Sequence, residues 1–358
     1  MNTVVNKSFL QFVRLGIGTD NNAIIPKEVE WEQLKALADE QGLLAIVIDG
    51  IERVPDNERP PKVLLLNWIG EVLQYENKSA IQQKAAYELA RLFHTNYIRT
   101  YVLKGEVVSE CYPKPVHRIC SDLDCFLVPE KSDFDAWSLG NDLIRAKGFE
   151  VETVFYKNST FFLPGLMVEN HQFLTPFRGN KKLEALERVL QALIHEDKNN
   201  NKFHDTWLYR PPVMATALFL IEHAYSHFLH EGLTWRHILD WRMFADKHKS
   251  SICWSTLDVL IDEYGFRRFY DSYNRLGQYL IGITSFEELN KKDRIMLEDV
   301  WAPLDLHDSV RGWKGKLALA GNTWRARWKY RYFTEISWVT ALWIQVKGFL
   351  FEKNPKLN

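Results

Sequence analysis

Ser121-Asp122-Leu123-Asp124 sets two acids one residue apart, just ahead of the apolar run Cys125-Phe126-Leu127-Val128. In an extended chain, residues i and i+2 share a face. The carboxylates of Asp122 and Asp124 therefore stand side by side and repel unless a cation or a proton lies between them. Paired carboxylates offering only oxygen suit Mg²⁺, an ion that commonly also binds substrate phosphates. Two further patterns could join them. Leu103-Lys104-Gly105 falls between a predicted strand and a predicted helix. A glycine there lets the backbone approach a phosphate, and a helix start supplies free N–H groups and partial positive charge. Farther on, Met167-Val168-Glu169 lies in an apolar run, and period two puts Glu169 and His171 on one face. A third carboxylate on an adjacent strand would complete a cation-binding cluster.

These residues need a sheet to bring them together, and the surrounding pattern predicts one. Thr100 to Leu103 is a short β-rich run, and a helix is expected from Glu106 to just before Tyr112-Pro113. Residues 112–121 read as a loop, followed by a strand over Leu123 to Val128. A helix is expected over 133–147, capped by Ser132 or Asp133 and closed by Gly148. Phe149 to Tyr156 reads as a strand. Thr160 to Leu163 and Leu166 to Leu174 read as a hairpin about Pro164-Gly165. This order of elements predicts an α+β fold, with a small mixed sheet as core and helical regions on either side in sequence. Helices are expected over Val29 to Gln41, from Pro60-Pro61 through Val72, and separately over Ala80 to Phe93. After Lys181 the chain returns to helix, with Pro211 to Leu229 and Trp235 to Asp246 the clearest segments. Lys198 to Lys202 reads as an exposed loop. The expected division is 1–95 helical, 96–178 sheet core, 179–300 helical, and 301–358 an aromatic and basic helical extension.

The chain has 358 residues, with 45 Lys plus Arg against 46 Asp plus Glu, so overall charge selects no partner. Cys111, Cys120, Cys125 and Cys253 form no CxxC pair and no zinc spacing, as expected of free thiols in a reducing compartment. The N-terminal residues lack the pattern of a signal peptide. The longest aromatic-apolar stretch, Ile336 to Ile344, is too short to span a bilayer. A cytoplasmic location is the expectation.

Taken together, Leu103-Lys104-Gly105, Tyr112-Pro113, Arg118, Asp122 with Asp124, Glu169 with His171, and Glu222-His223, His227 and Asp240-Trp241 resemble a known pattern. The chain resembles the polymerase-beta-like nucleotidyltransferase superfamily, and within it the branch of uncharacterised bacterial nucleotidyltransferases. The sharp part of the likeness covers about 98–175, and a looser part extends to about 250. The resemblance implies a nucleotidyltransferase core and transfer of a nucleoside monophosphate from an NTP to a hydroxyl, with pyrophosphate released. It implies that Asp122 and Asp124 hold Mg²⁺ (or Mn²⁺) on the triphosphate, and that Glu169 completes the metal set or acts as base. The nucleotide would be contacted by Gly105, by Lys104 or Arg118 as counter-charges, by Ser121, and by His171 as an orienting partner. The acceptor, a small molecule or a protein, is left open. Two departures stand out. Glu106 occupies the position after the glycine where the wider superfamily usually has serine, and the interval from Gly105 to Asp122 is longer than is common there.

Other chemistry is also written in the chain. His223 and His227 are i,i+4 on one predicted helix, a spacing that can bind Zn²⁺, with Asp240 as a further candidate ligand. That would make a zinc hydrolase, although the HExxH glutamate is missing. His230 lies on the same helix. Arg118 could pair with Asp122 or Asp124 and so let the two acids coexist. The run Trp324-Arg325-Ala326-Arg327-Trp328-Lys329-Tyr330-Arg331-Tyr332 could face nucleic acid or a membrane surface. Its plainer role is an amphipathic element with aromatics inward and Arg stems over them. A catalytically silent binding module on the same fold is the rival to an enzyme.

Overall fold

A computed structural model describes residues 4–20, 28–131, 134–198, 201–203, 205–301 and 324–351. Its centre is a mixed six-stranded sheet: β1 (Ile98–Val102), β2 (Asp122–Pro129), β3 (Val151–Phe155), β4 (Asn158–Leu163), β5 (Leu166–His171) and β6 (Leu208–Tyr209). The spatial order is β3-β4-β5-β2-β1-β6. The hairpin β4–β5 turns at Pro164-Gly165, where Gly165 takes φ +80°. That is a left-handed conformation which glycine adopts without steric cost. β5 then lies parallel to β2, and β1 antiparallel to β2 on the other side. β6, which adds a parallel edge to β1, is too short to show a period in the sequence. The fold is α+β, as expected.

Alternation along β2 splits the sheet into two faces. Leu123, Cys125 and Leu127 join Ile98, Val102, Phe161 and Val168 in one apolar cluster. That side is covered by α4 (Lys62–His94) and α6 (Ala136–Ala146), through Ala86, Leu89, Phe93 and Ile144. Phe126 and Val128 face the opposite way and belong to a larger cluster. This second core also takes in α1 (Val4–Ile17), α2 (Trp31–Glu40) and α3 (Leu44–Ile51), and α7 (Lys181–His195), α8 (Val213–His230) and α9 (Trp235–Lys247). It continues through α10 (Trp254–Glu263), α11 (Arg267–Leu280) and α12 (Lys291–Trp301). N-terminal and C-terminal helices thus share one core.

Several details differ from expectation. The helices expected near 62–72 and 80–93 are one continuous α4 of 33 residues. Its first half points Trp68 and Val72 into the larger core and its second half points Ala86, Leu89 and Phe93 into the smaller one. The exposed apolar residues Val63, Leu66, Leu73 and Ile81 on its outer side blur the single apolar stripe that its inward face would otherwise show. α6 starts at Ala136, capped by Asp135, whose side chain accepts the Ser138 N–H. Ser132 and Asp133 lie outside the described residues. Most of 301–323 also lies outside them, as do Asn199 and Asn200 of the expected 198–202 loop. In the basic-aromatic run, α13 (Arg327–Phe333) turns Lys329, Tyr330 and Phe333 inward while Arg327 and Arg331 stay exposed. Lys329 is fully buried, 2.8 Å from Asp299, and donates to the Phe228 carbonyl. The inward residues follow helical spacing, as in an amphipathic element on a core.

Candidate active site

β2 starts at the rim of the sheet, so its first residues stand where the layer of core side chains ends. Asp122 is partly exposed there and accepts a hydrogen bond from the Ser121 hydroxyl at 3.0 Å. Two residues deeper, on the same face, Asp124 is 3% exposed. The β2–β5 register sets Asp124 directly opposite Glu169, and Phe126 opposite His171. All four side chains therefore share the face that looks toward α8. Carboxylate and imidazole atoms of Asp124, Glu169 and His171 lie within 4.8 Å of one another. Asp122 stands outside this tightest group, at its open end.

Both oxygens of Asp124 have partners. The Lys104 ammonium is 3.0 Å from one, and His171 Nε2 is 3.0 Å from the other. His171 also lies 3.6 Å from Glu169. Burial alone would raise the Asp124 pKa. The charge of Lys104 and the hydrogen bond from His171 outweigh it and hold the group well below the usual carboxylate range. Burial opposes the charged form of His171, yet Asp124 and Glu169 raise its pKa above the ordinary imidazole value.

Lys104 reaches Asp124 from the turn after β1. Gly105 holds φ +59° there, a left-handed backbone that suits glycine. The helix that follows, α5 (Glu106–Ser109), has only four residues, so a helix dipole contributes little at this turn. Glu106 follows Gly105 directly, and both line one cleft. Burial, together with the nearby Glu110 charge, pushes its pKa up to about 7. Gly105, Glu106, Arg118, Asp122 and Asp124 line this cleft of about 250 Å³, with Gln82 of α4 on its far wall. A wider groove between α2 and α4 (about 840 Å³) is lined by Trp31, Lys35 and Glu71, the last two paired with each other at 2.7 Å. It holds none of the acidic cluster.

Arg118 does not pair with Asp122 or Asp124, as the sequence had suggested it could. It forms a two-pronged contact with Asp240 of α9, Nε to Oδ1 at 3.1 Å and Nη2 to Oδ2 at 2.6 Å. The Tyr112 hydroxyl donates to the same Oδ1 at 2.7 Å. Tyr112, Arg118 and Asp240, scattered in sequence, are thus one buried network that anchors the 112–121 loop on α9. Asp240 is accordingly committed and does not join His223 and His227.

A different residue does. One ring nitrogen each of His223, His227 and His237 lies within 4.8 Å of the other two. His223 Nε2 is also 3.3 Å from Lys104 Nζ, so this cluster adjoins the acidic one. Burial, then the charges of Lys104 and His227, holds His223 well below the ordinary imidazole pKa. Burial and His227 do the same to His237. His230 points elsewhere, with Nδ1 on the Ser226 carbonyl at 2.9 Å. His237 was not singled out from the sequence. The only local signal is its place three residues after Thr234, with which it forms the capping box of α9.

The acid set fits a hard divalent cation in donor chemistry, with carboxylate oxygens from two adjacent strands; Asp122 and Asp124 line the cleft, whereas Glu169 lies outside its lining. Lys104 now supplies the positive charge beside Asp124 that such an ion would also supply.

The family described as uncharacterised nucleotidyltransferase matches residues 27–282 of the chain, a span that contains every residue of the site. No curated protein and no solved structure matches the chain significantly.

Proposed function

The chain belongs to the uncharacterised nucleotidyltransferase family, and we propose that it moves a nucleoside monophosphate from an NTP to a hydroxyl of an acceptor, releasing pyrophosphate. The observation that supports this most is the register that sets Glu169 opposite Asp124, two residues from Asp122 on one sheet face. In this proposal Asp122, Asp124 and Glu169 hold Mg²⁺ (or Mn²⁺). When bound, that ion supplies charge neutralisation at the phosphates and at the attacking and leaving oxygens.

The chain's own residues do the rest. The cleft beside Gly105 is smaller than pockets that enclose a whole drug-sized ligand. It takes the phosphate end of the nucleotide and leaves the base outside. Lys104 is placed to exchange part of its contact with Asp124 for a phosphate oxygen, and so offsets developing negative charge. His171 holds Asp124 in one orientation. Ser121 holds Asp122. Arg118 acts at a distance: its contact with Asp240 fixes the loop that leads into β2. Glu106, with its raised pKa, carries less negative charge into the cleft near neutral pH than an ordinary glutamate would.

Transfer of α-³²P label from each NTP to an acceptor in a cell extract, with release of pyrophosphate, is the experiment. Asp122→Asn is the informative variant, because Asp122 is partly exposed and its loss leaves no buried charge alone. Label transfer undiminished in that variant contradicts the proposal.

A silent binding module has one observation in its favour: both oxygens of Asp124 are already engaged, by Lys104 and His171. It requires nucleotide binding, if any, to be indifferent to divalent ions.

A further inference from the structure

His223 Nε2 and His227 Nε2 are 3.0 Å apart. The other ring nitrogen of His227 is 2.7 Å from a Glu231 carboxylate oxygen, which accepts its N–H. In the neutral ring this leaves the Nε2 of His227 as a lone pair. His223 Nε2 receives the Lys104 ammonium at 3.3 Å and is likewise a lone pair. Two lone pairs facing each other at this distance repel unless a proton or a cation is shared between them. His237, brought in across the short α8–α9 turn, adds a third imidazole to the same point. Its Nδ1 accepts the Thr234 backbone N–H at 3.2 Å and lies 2.8 Å from the Thr234 hydroxyl, so Nε2 carries the proton in the neutral ring and gives it up when the ring ligates through that nitrogen.

We infer that His223, His227 and His237 form a binding site for a late first-row divalent cation, zinc foremost. Three imidazoles suit zinc far better than magnesium, which prefers oxygen. The Glu231 carboxylate on His227 is the kind of outer partner that orients a ligating histidine. All three residues are partly exposed, and water would supply the fourth tetrahedral ligand. Lys104 keeps Asp124 as its partner when His223 turns to the metal. The site does not depend on the nucleotidyl-transfer proposal, because its residues are distinct from the three carboxylates.

Full-length protein is stripped with chelator and titrated with ZnCl₂ by calorimetry, and separately with Co²⁺, followed in the visible spectrum. The expected result is one equivalent of tightly bound zinc, and cobalt absorption typical of four-coordinate nitrogen and oxygen ligation. His227→Ala and His237→Ala each lower zinc affinity by about 100-fold or more, and Glu231→Gln lowers it about tenfold. Glu169→Gln, His230→Ala and Cys253→Ser leave it unchanged, which separates this site from the acidic cluster and from other donors. Circular dichroism confirms that each variant is folded, and the cobalt spectrum of the unsubstituted protein needs no variant. Absence of stoichiometric zinc, or binding retained in the His227→Ala, His237→Ala double variant, overturns the inference.

Discussion

The Lys104 ammonium lies 3.0 Å from Asp124, and this one contact joins the Gly105 turn to the strand that carries both aspartates. Asp124 is 3% exposed. Removing one partner of a buried pair strands the other charge, at a cost of about 3–5 kcal/mol. Lys104→Ala is therefore expected to lower unfolding free energy by that order in urea denaturation. Under the proposed function, Mg²⁺ restores more stability to this variant than to the unsubstituted protein, because the ion takes over the neutralising role. A variant as stable as the parent would show that the pair is not the main compensation for Asp124.

Tyr112, Arg118 and Asp240 are expected to behave as one unit. Tyr112→Phe removes a buried hydrogen bond to a carboxylate, worth about 1.5–3 kcal/mol. Arg118→Lys loses the two-pronged geometry and is not a conservative change. A double-mutant cycle over Tyr112 and Arg118 should give a coupling of about 1 kcal/mol or more. Additive effects would mean that the two residues hold the loop independently.

Glu106 predicts a pH dependence of nucleotide binding. Its pKa is pushed up to about 7, chiefly by burial, so it is largely neutral below that pH and anionic above it. Anionic Glu106 repels phosphate. The affinity of the parent protein should fall relative to Glu106→Gln as pH rises through 7, by roughly 1 kcal/mol for one solvent-screened charge contact. Comparison with the variant cancels titration of the nucleotide itself. Parallel pH profiles would remove Glu106 from the phosphate path.

His117 predicts a pH dependence of stability. It is held between Asp49 of α3 at 2.7 Å and Glu76 of α4 at 2.8 Å, which clamps the loop preceding Arg118. Burial opposes its charge, but the hydrogen bonds to Asp49 and Glu76 prevail and raise its pKa. A raised folded-state pKa gives stability that is complete below the unfolded value of about 6.5 and is lost as pH rises through the folded value. Denaturant midpoints of the parent should thus drop relative to His117→Gln as pH increases above about 6.5. The opposite slope would mean that the imidazole is neutral in the fold.

Local pattern was sufficient for the acids and most strands. The spacing of Asp122 and Asp124 fixes their common face whatever surrounds them, and Pro164-Gly165 announces its own hairpin. The Glu169–His171 pair is legible for the same reason, since period two needs no partner to be read. Arg118 is different. Its partner Asp240 lies 122 residues away, and nothing local separates it from the nearer acids Asp122 and Asp124. His237 is hidden in the same way: only the close return of α9 against α8 brings it to His223 and His227. The continuity of α4 was obscured because Val63, Leu66, Leu73 and Ile81 put apolar residues on its exposed side.

Binding of nucleotide in the presence and absence of divalent ion tests the central claim most directly, since it needs no knowledge of the acceptor. Thermal shift of the full chain with each NTP, with and without Mg²⁺ or Mn²⁺, should show a stabilisation that requires the ion and disappears in Asp122→Asn. No shift with any nucleotide, or a shift that persists in that variant or without the ion, would contradict a carboxylate-held cation at the head of β2.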